Sequence, residues 1–133
     1  MSTKIFVNLP VRDLDKSKEF FTKLGYSINE QFTDENASCV VISEDIYVML
    51  LVESFFAGFT SKEVADATKT TEVTLALSAD SRQGVDELVD KALAAGGQVV
   101  REPMDQGPMY GRSFYDLDGH LWEVVYMDPT ALQ

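Results

Sequence analysis

The same succession of strand and helix signals runs through this chain twice, and that repeat limits the possible folds more than any single motif does. In the first copy, TKIFVNL from Thr3 to Leu9 alternates, with Ile5, Val7 and Leu9 on one face and Phe6 and Asn8 on the other, the pattern of a strand buried on both sides. Asp13 then caps a segment whose Leu14, Phe21 and Leu24 fall on one helical stripe, and Gly25 is placed to end it. Strand-like runs follow at Tyr26 to Gln31, Ser38 to Ser43 and Ile46 to Glu53, the last two parted by Glu44 and Asp45.

The second copy begins with TEVTLALS. Asp80 with Gln83 reads as a capping box, Val85, Leu88, Val89 and Ala92 mark a helix, and Gly96 and Gly97 end it. Gln98 to Arg101, Gly111 to Tyr115 and Leu121 to Met127 read as strands, with the turn DLDG before the last. Each copy is therefore a βαβββ unit: residues 1–53 and 71–133, joined by a linker, 54–70, with a short helix expected around Lys62 to Ala67. A repeated unit usually leaves an apolar face that it cannot bury alone, so the copies are expected to pair. The fold class that follows is α+β within a single domain, with two βαβββ modules whose mixed sheets curl around a central cleft.

Composition narrows the partners. A hydrophobic fraction of 45% and a charged fraction of 25% suit a globular domain, and the longest apolar run, Ile46 to Val52, is too short to cross a bilayer. The N-terminus lacks the basic and apolar segments of a signal peptide, so a cytoplasmic address is expected. With 22 acidic against 11 basic residues the formal charge is -11, which repels phosphate backbones and anionic membranes and favours cationic ligands. Neither nucleic acid nor a membrane is therefore expected as a partner. Cys39, the only cysteine, excludes a disulfide within the chain and reads as a small buried residue of a strand.

Three stretches, FVNLPVRDLDKSKEFFTKLGY in the first copy and GGQVVREP and SFYDLDGHLWEVVY in the second, resemble the vicinal oxygen chelate superfamily. That superfamily includes glyoxalase I, bleomycin resistance proteins, fosfomycin resistance enzymes and extradiol dioxygenases. The likeness covers nearly the whole chain, and DLDGHLWE is its more specific motif. It implies the paired-module fold, a small-molecule ligand and a homodimer. In the superfamily's metalloenzymes a divalent metal sits on up to four side chains from the first and last strands of each module. Those positions fall here on Phe6, Thr74 and Glu123, and the overlay of the two copies adds Met49. Only Glu123 suits a hard or borderline cation, since Phe6 has no donor atom, Met49 offers a thioether and Thr74 a neutral hydroxyl. Slipping a strand by two residues brings in Asn8, Leu51, Ala76 or Glu53 and no better set. No cofactor is therefore expected.

Glu123 is the candidate catalytic residue, and Phe6, Asn8, Met49, Thr74, Met109, Tyr110 and Arg112 are the candidate ligand-binding residues. Two readings of Glu123 stand side by side: a carboxylate that accepts a proton or pairs with a ligand cation, or half of a structural ion pair with an arginine such as Arg112. Trp122, Val124 and Tyr126 alternate with it and are expected against the second helix, while His120 belongs to the turn. The loop from Glu102 to Gly111, with Met104, Met109 and Tyr110, suits either an adaptable lid or an ordinary surface connection whose methionines pack inward. Phe55, Phe56 and Phe59 must cover either a cleft mouth or a subunit interface. Three functions fit these residues: a metal-independent binder of a cationic or aromatic small molecule, a lyase, isomerase or dioxygenase using Glu123, or an interaction protein with a filled cleft.

Overall fold

A computed structural model describes residues 2–132, which form two compact units divided between Asp66 and Ala67. In the first, β1 (Ile5–Val11) leads into α1 (Leu14–Lys23), then β2 (Ser27–Asn29), a 3-10 turn (Glu30–Phe32), β3 (Ala37–Val41), β4 (Ile46–Val52) and α2 (Glu53–Ala57). The second carries β5 (Thr74–Ser78), α3 (Arg82–Ala94), β6 (Gln98–Val99), β7 (Met104–Gln106), β8 (Met109–Tyr115), β9 (Leu121–Met127) and a 3-10 turn (Pro129–Leu132).

The repeat seen in the sequence recurs in the topology. One sheet runs β1-β4-β3-β2 and the other β5-β9-β8-β6, with β7 added along β8. In each, the first strand lies parallel to the last and the remaining pairs are antiparallel. The α+β architecture with two mixed sheets is thus as expected. A parallel pair needs a crossover, which the helix after the first strand supplies.

One face of each sheet is sealed by its helix. Leu9, Val11, Val40, Val48 and Leu50 are buried with Leu14, Phe20 and Phe21 of α1, whose two phenyl rings meet edge to face at 5.1 Å. Asp13 caps this helix as expected, its carboxylate accepting from the Lys16 amide at 3.1 Å. In the second unit Phe114, Trp122 and Val124 are buried with Val85, Val89 and Ala92 of α3. Complete burial of one such large side chain is worth about 1.5–3 kcal/mol, so these two faces hold most of the folding energy.

Several local expectations are corrected. Phe6 and Asn8 are exposed, so β1 is not buried on both sides; its alternation is that of a half-covered strand. The helix expected around Lys62 to Ala67 is absent, and α2 lies instead at Glu53–Ala57, where packing on β1 and β4 holds it. Ser81, not Asp80, caps α3: its hydroxyl accepts from the Gly84 amide at 2.9 Å, while the Gln83 side chain bonds Glu87. The supposed lid is ordered as a hairpin, because Gly107 at φ 66° followed by Pro108 gives the two-residue turn that joins Gln106 to Met109.

Candidate functional site

The face of each sheet away from its helix carries six of the eight candidate residues, all but Tyr110 and Arg112. In the first unit the register sets Phe6 beside Tyr47, Asn8 beside Met49 and Pro10 beside Leu51. Phe6, 48% exposed, stacks on Tyr47 with ring centroids 4.8 Å apart. Further along this face Asn8, Leu51, Phe56, Phe59 and Thr60 line a hollow of about 460 Å³. Its walls are mainly apolar, and α2 supplies Phe56 because ESFFA begins a helix directly where β4 ends. Asn8 is its amide group, with Nδ2 donating to the Phe6 carbonyl at 3.1 Å. Cys39, beside Met49 on the same face, is wholly buried, and burial pushes its thiol up.

In the second unit Glu123 lies between Ala76 and Ser113, on the face opposite Trp122 and Val124, with its side chain 28% exposed. Its ion-pair partner is Arg101, at 3.5 Å, and not Arg112. Thr74 sits two residues away, beside Leu121, and Met109 lies toward the far end of the same face beside Met127.

Tyr110 and Arg112 belong to the other face, in register with Tyr126 and Val124. Both clasp α3: the Tyr110 hydroxyl donates to Asp86 at 2.6 Å, and the Arg112 guanidinium bonds Asp86 at 3.1 Å and Asp90 at 2.9 Å. The Tyr110 hydroxyl, followed by Arg112, holds the Asp86 carboxyl below the usual carboxylate range. Arg82 continues the lattice with two bonds to Asp105 at 2.8 and 2.9 Å, one to the Gly107 carbonyl, and a guanidinium 5.0 Å from the Tyr110 ring centroid. The hairpin is therefore pinned to α3 by charge-assisted bonds.

Asp116 was missed as a key residue of the DLDGH turn. Its carboxylate accepts from the amides of Asp118 and His120, each at 3.0 Å, and from the Trp122 indole nitrogen at 2.9 Å. Burial pushes this carboxyl up, against the charge of His120 and these hydrogen bonds. The available signal was an aspartate two residues before a second turn aspartate and six before a tryptophan that needs an acceptor when buried.

Residues 5–124 match the family described as the Glyoxalase/Bleomycin resistance protein/Dioxygenase superfamily. The chain belongs to this superfamily. Among solved structures, a hypothetical protein from S. aureus is 34% identical, with a TM-score of 0.79 and 95% of each chain covered. A glyoxalase/bleomycin resistance protein/dioxygenase family enzyme from Burkholderia phytofirmans PsJN is 16% identical, with a TM-score of 0.77 over 95% of this chain and 99% of that one. The fosfomycin resistance protein FosX from Mesorhizobium loti is 16% identical, with a TM-score of 0.70 over 99% and 98%. The last two establish likeness of fold alone. No match was found among the curated proteins.

The superfamily's metal positions fit an ion poorly in this member. Phe6, Met49, Thr74 and Glu123 offer one hard donor, and the registers set Phe6 beside Tyr47 and Thr74 beside Leu121, neither a carboxylate nor an imidazole. Among the described residues no group of three or more His, Cys, Asp or Glu side chains is arranged to hold a metal. His120, the single histidine, stands in the turn with its amide bound to Asp116. No helix among the described residues is long and apolar enough to cross a membrane.

Proposed function

We propose that this superfamily member is a metal-independent small-molecule binder whose ligand carries an apolar or aromatic body. The observation that carries this reading is the hollow of about 460 Å³ in the first unit, where Leu51, Phe56 and Phe59 surround the amide of Asn8 and the hydroxyl of Thr60. Its volume suits a small organic ligand, and its composition is that of a binding pocket, an apolar wall with a few polar groups to fix orientation. None of the residues lining it is charged. With a formal charge of -11 on the chain, an anionic ligand is disfavoured and a neutral or cationic aromatic one is favoured. Among the described residues Glu123 meets Arg101 and joins no group of three His, Cys, Asp or Glu side chains, so binding accounts for the residues better than turnover.

The test is a thermal-shift screen of small neutral and cationic aromatics on dialysed protein whose metal content has been measured. Ligands that bind the folded state raise Tm, and the rise should vanish in Phe56→Ala. Near-stoichiometric nickel, zinc, iron or manganese retained after dialysis would contradict the metal-independent reading. Homodimer formation in the cytoplasm belongs to the same proposal, supported by the 72% exposure of Phe59 and the 61% exposure of Phe32. Sedimentation showing only monomer would count against pairing.

A further inference from the structure

Glu123 and Ser113 are short of hydrogen bonds where the arginine–carboxylate pairs of the second unit are not. Arg82 and Arg112 meet their carboxylates at 2.8–3.1 Å. Arg101 approaches Glu123 only to 3.5 Å and forms no hydrogen bond with it. Among the described residues the Glu123 carboxylate meets only this guanidinium. The hydroxyl of Ser113, the cross-strand partner of Glu123 on the same face, is buried and has no partner, in a residue that is 5% exposed. On the other side of Glu123 stands the methyl group of Ala76, which has nothing to donate. A buried hydroxyl left unmet in a packed sheet is costly and calls for a physical cause, and the carboxylate beside it, 28% exposed, is open to a ligand.

The loosely held guanidinium shows which chemistry this position accommodates. Arg101 is 42% exposed and follows the two-residue strand β6, so its contact with Glu123 is a weak surface pair that a better-placed donor can replace. A cation is also what the field of a chain of charge -11 concentrates. We infer that Glu123, backed by the Ser113 hydroxyl, anchors a cationic nitrogen group of a ligand, an ammonium or amidinium, in the place that Arg101 occupies. The position that holds a metal ligand in the superfamily's metalloenzymes thus receives an organic cation in this member. The inference rests on the small-molecule reading above in taking the ligand of this member to be an organic molecule, and it concerns the second unit alone.

Calorimetric titration with benzamidinium, benzamide and benzoate tests this, since the three share one ring and differ in charge. Benzamidinium should bind most tightly, weaken about tenfold in Glu123→Gln and less in Ser113→Ala, as expected for loss of a charge-assisted bond and of its support. Arg101→Ala should strengthen it severalfold, because the resident competitor is gone. A merely structural ion pair predicts the opposite sign for Arg101→Ala. Ser113→Ala should leave Tm unchanged or raised, since it deletes an unpartnered hydroxyl, which separates lost affinity from lost folding. Benzoate binding more tightly than benzamidinium overturns the inference. So does weaker or unchanged benzamidinium binding in Arg101→Ala, or no benzamidinium binding at all. Benzamide binding that is lost in Phe56→Ala and retained in Glu123→Gln supports the apolar hollow independently, so the two readings fail separately.

Discussion

The two units share a strand order, a parallel first-to-last pair and a helix sealing one face, yet their opposite faces differ in kind. That of the first unit is apolar and aromatic, with the Phe6–Tyr47 stack, Met49, Leu51 and Phe56. That of the second sets a carboxylate between a methyl and a hydroxyl, with an arginine nearby. The helix-facing sides show the reverse contrast. The first is packed with phenylalanine and aliphatic groups, whereas the second adds a lattice of Tyr110, Arg112, Asp86 and Asp90 at its margin. Duplicated topology thus constrains the residues that fill the layer between helix and sheet and leaves the other face free to change its chemistry.

If that division is right, truncation on the helix side should be costly in both units alike. Phe20→Ala and Trp122→Ala are each expected to destabilise by about 3–5 kcal/mol in denaturant unfolding, against under ~1 kcal/mol for Phe6→Ala on the exposed face of β1. A similar cost for Phe6→Ala would break the comparison. Asp116→Ala, which strands the indole of Trp122 and two amides, should cost about 1–3 kcal/mol and has no counterpart in the first unit.

The glycines that end the two helices sharpen the contrast. A Cβ on Gly97 would meet the backbone oxygens of Tyr115 at 2.8 Å and Ala92 at 2.9 Å, whereas one on Gly25 meets nothing within 4 Å and suffers only from its φ of 107°. Gly97→Ala should therefore lower Tm more than Gly25→Ala, whose cost is about 1–2 kcal/mol. Equal shifts would mean that β8 yields where the structure shows it packed.

The smallest expected effect concerns pH. Asp86 has a depressed folded-state pKa, chiefly through the Tyr110 hydroxyl, so its contribution is fully present above the unfolded value and is lost as pH falls through the folded one. Asp86→Asn should therefore lower stability modestly at pH 7 and flatten the loss below about pH 4, as read by unfolding midpoints across that range. An unchanged acid limb would remove Asp86 from the lattice.

What could be read before the structure followed from periodicity. Alternation and helical stripes mark the βαβββ succession of both units apart from α2 and β7, the Asp13 cap, and the face of Glu123 opposite Trp122. What could not be read depended on register and turn geometry. Composition groups Tyr110 and Arg112 with the ligand site, and their direction follows only from the antiparallel pairing of Tyr110 with Tyr126 and Arg112 with Val124. The hairpin behind that pairing turns on Gly107 and Pro108 and resembled a mobile loop in composition. Arg101, and not Arg112, partners Glu123 because Arg112, in register with Val124, lies on the opposite face of the sheet. The helix Glu53–Ala57 was hidden because ESFFA continues the apolar run of β4 without a cap.

The central claim is that binding depends on the apolar hollow of the first unit and needs no ion. The most direct measurement is the Tm rise given by a neutral aromatic ligand such as benzamide, recorded with and without excess EDTA. The account predicts the same rise in both. A rise that disappears with EDTA and returns on adding a divalent metal would contradict it.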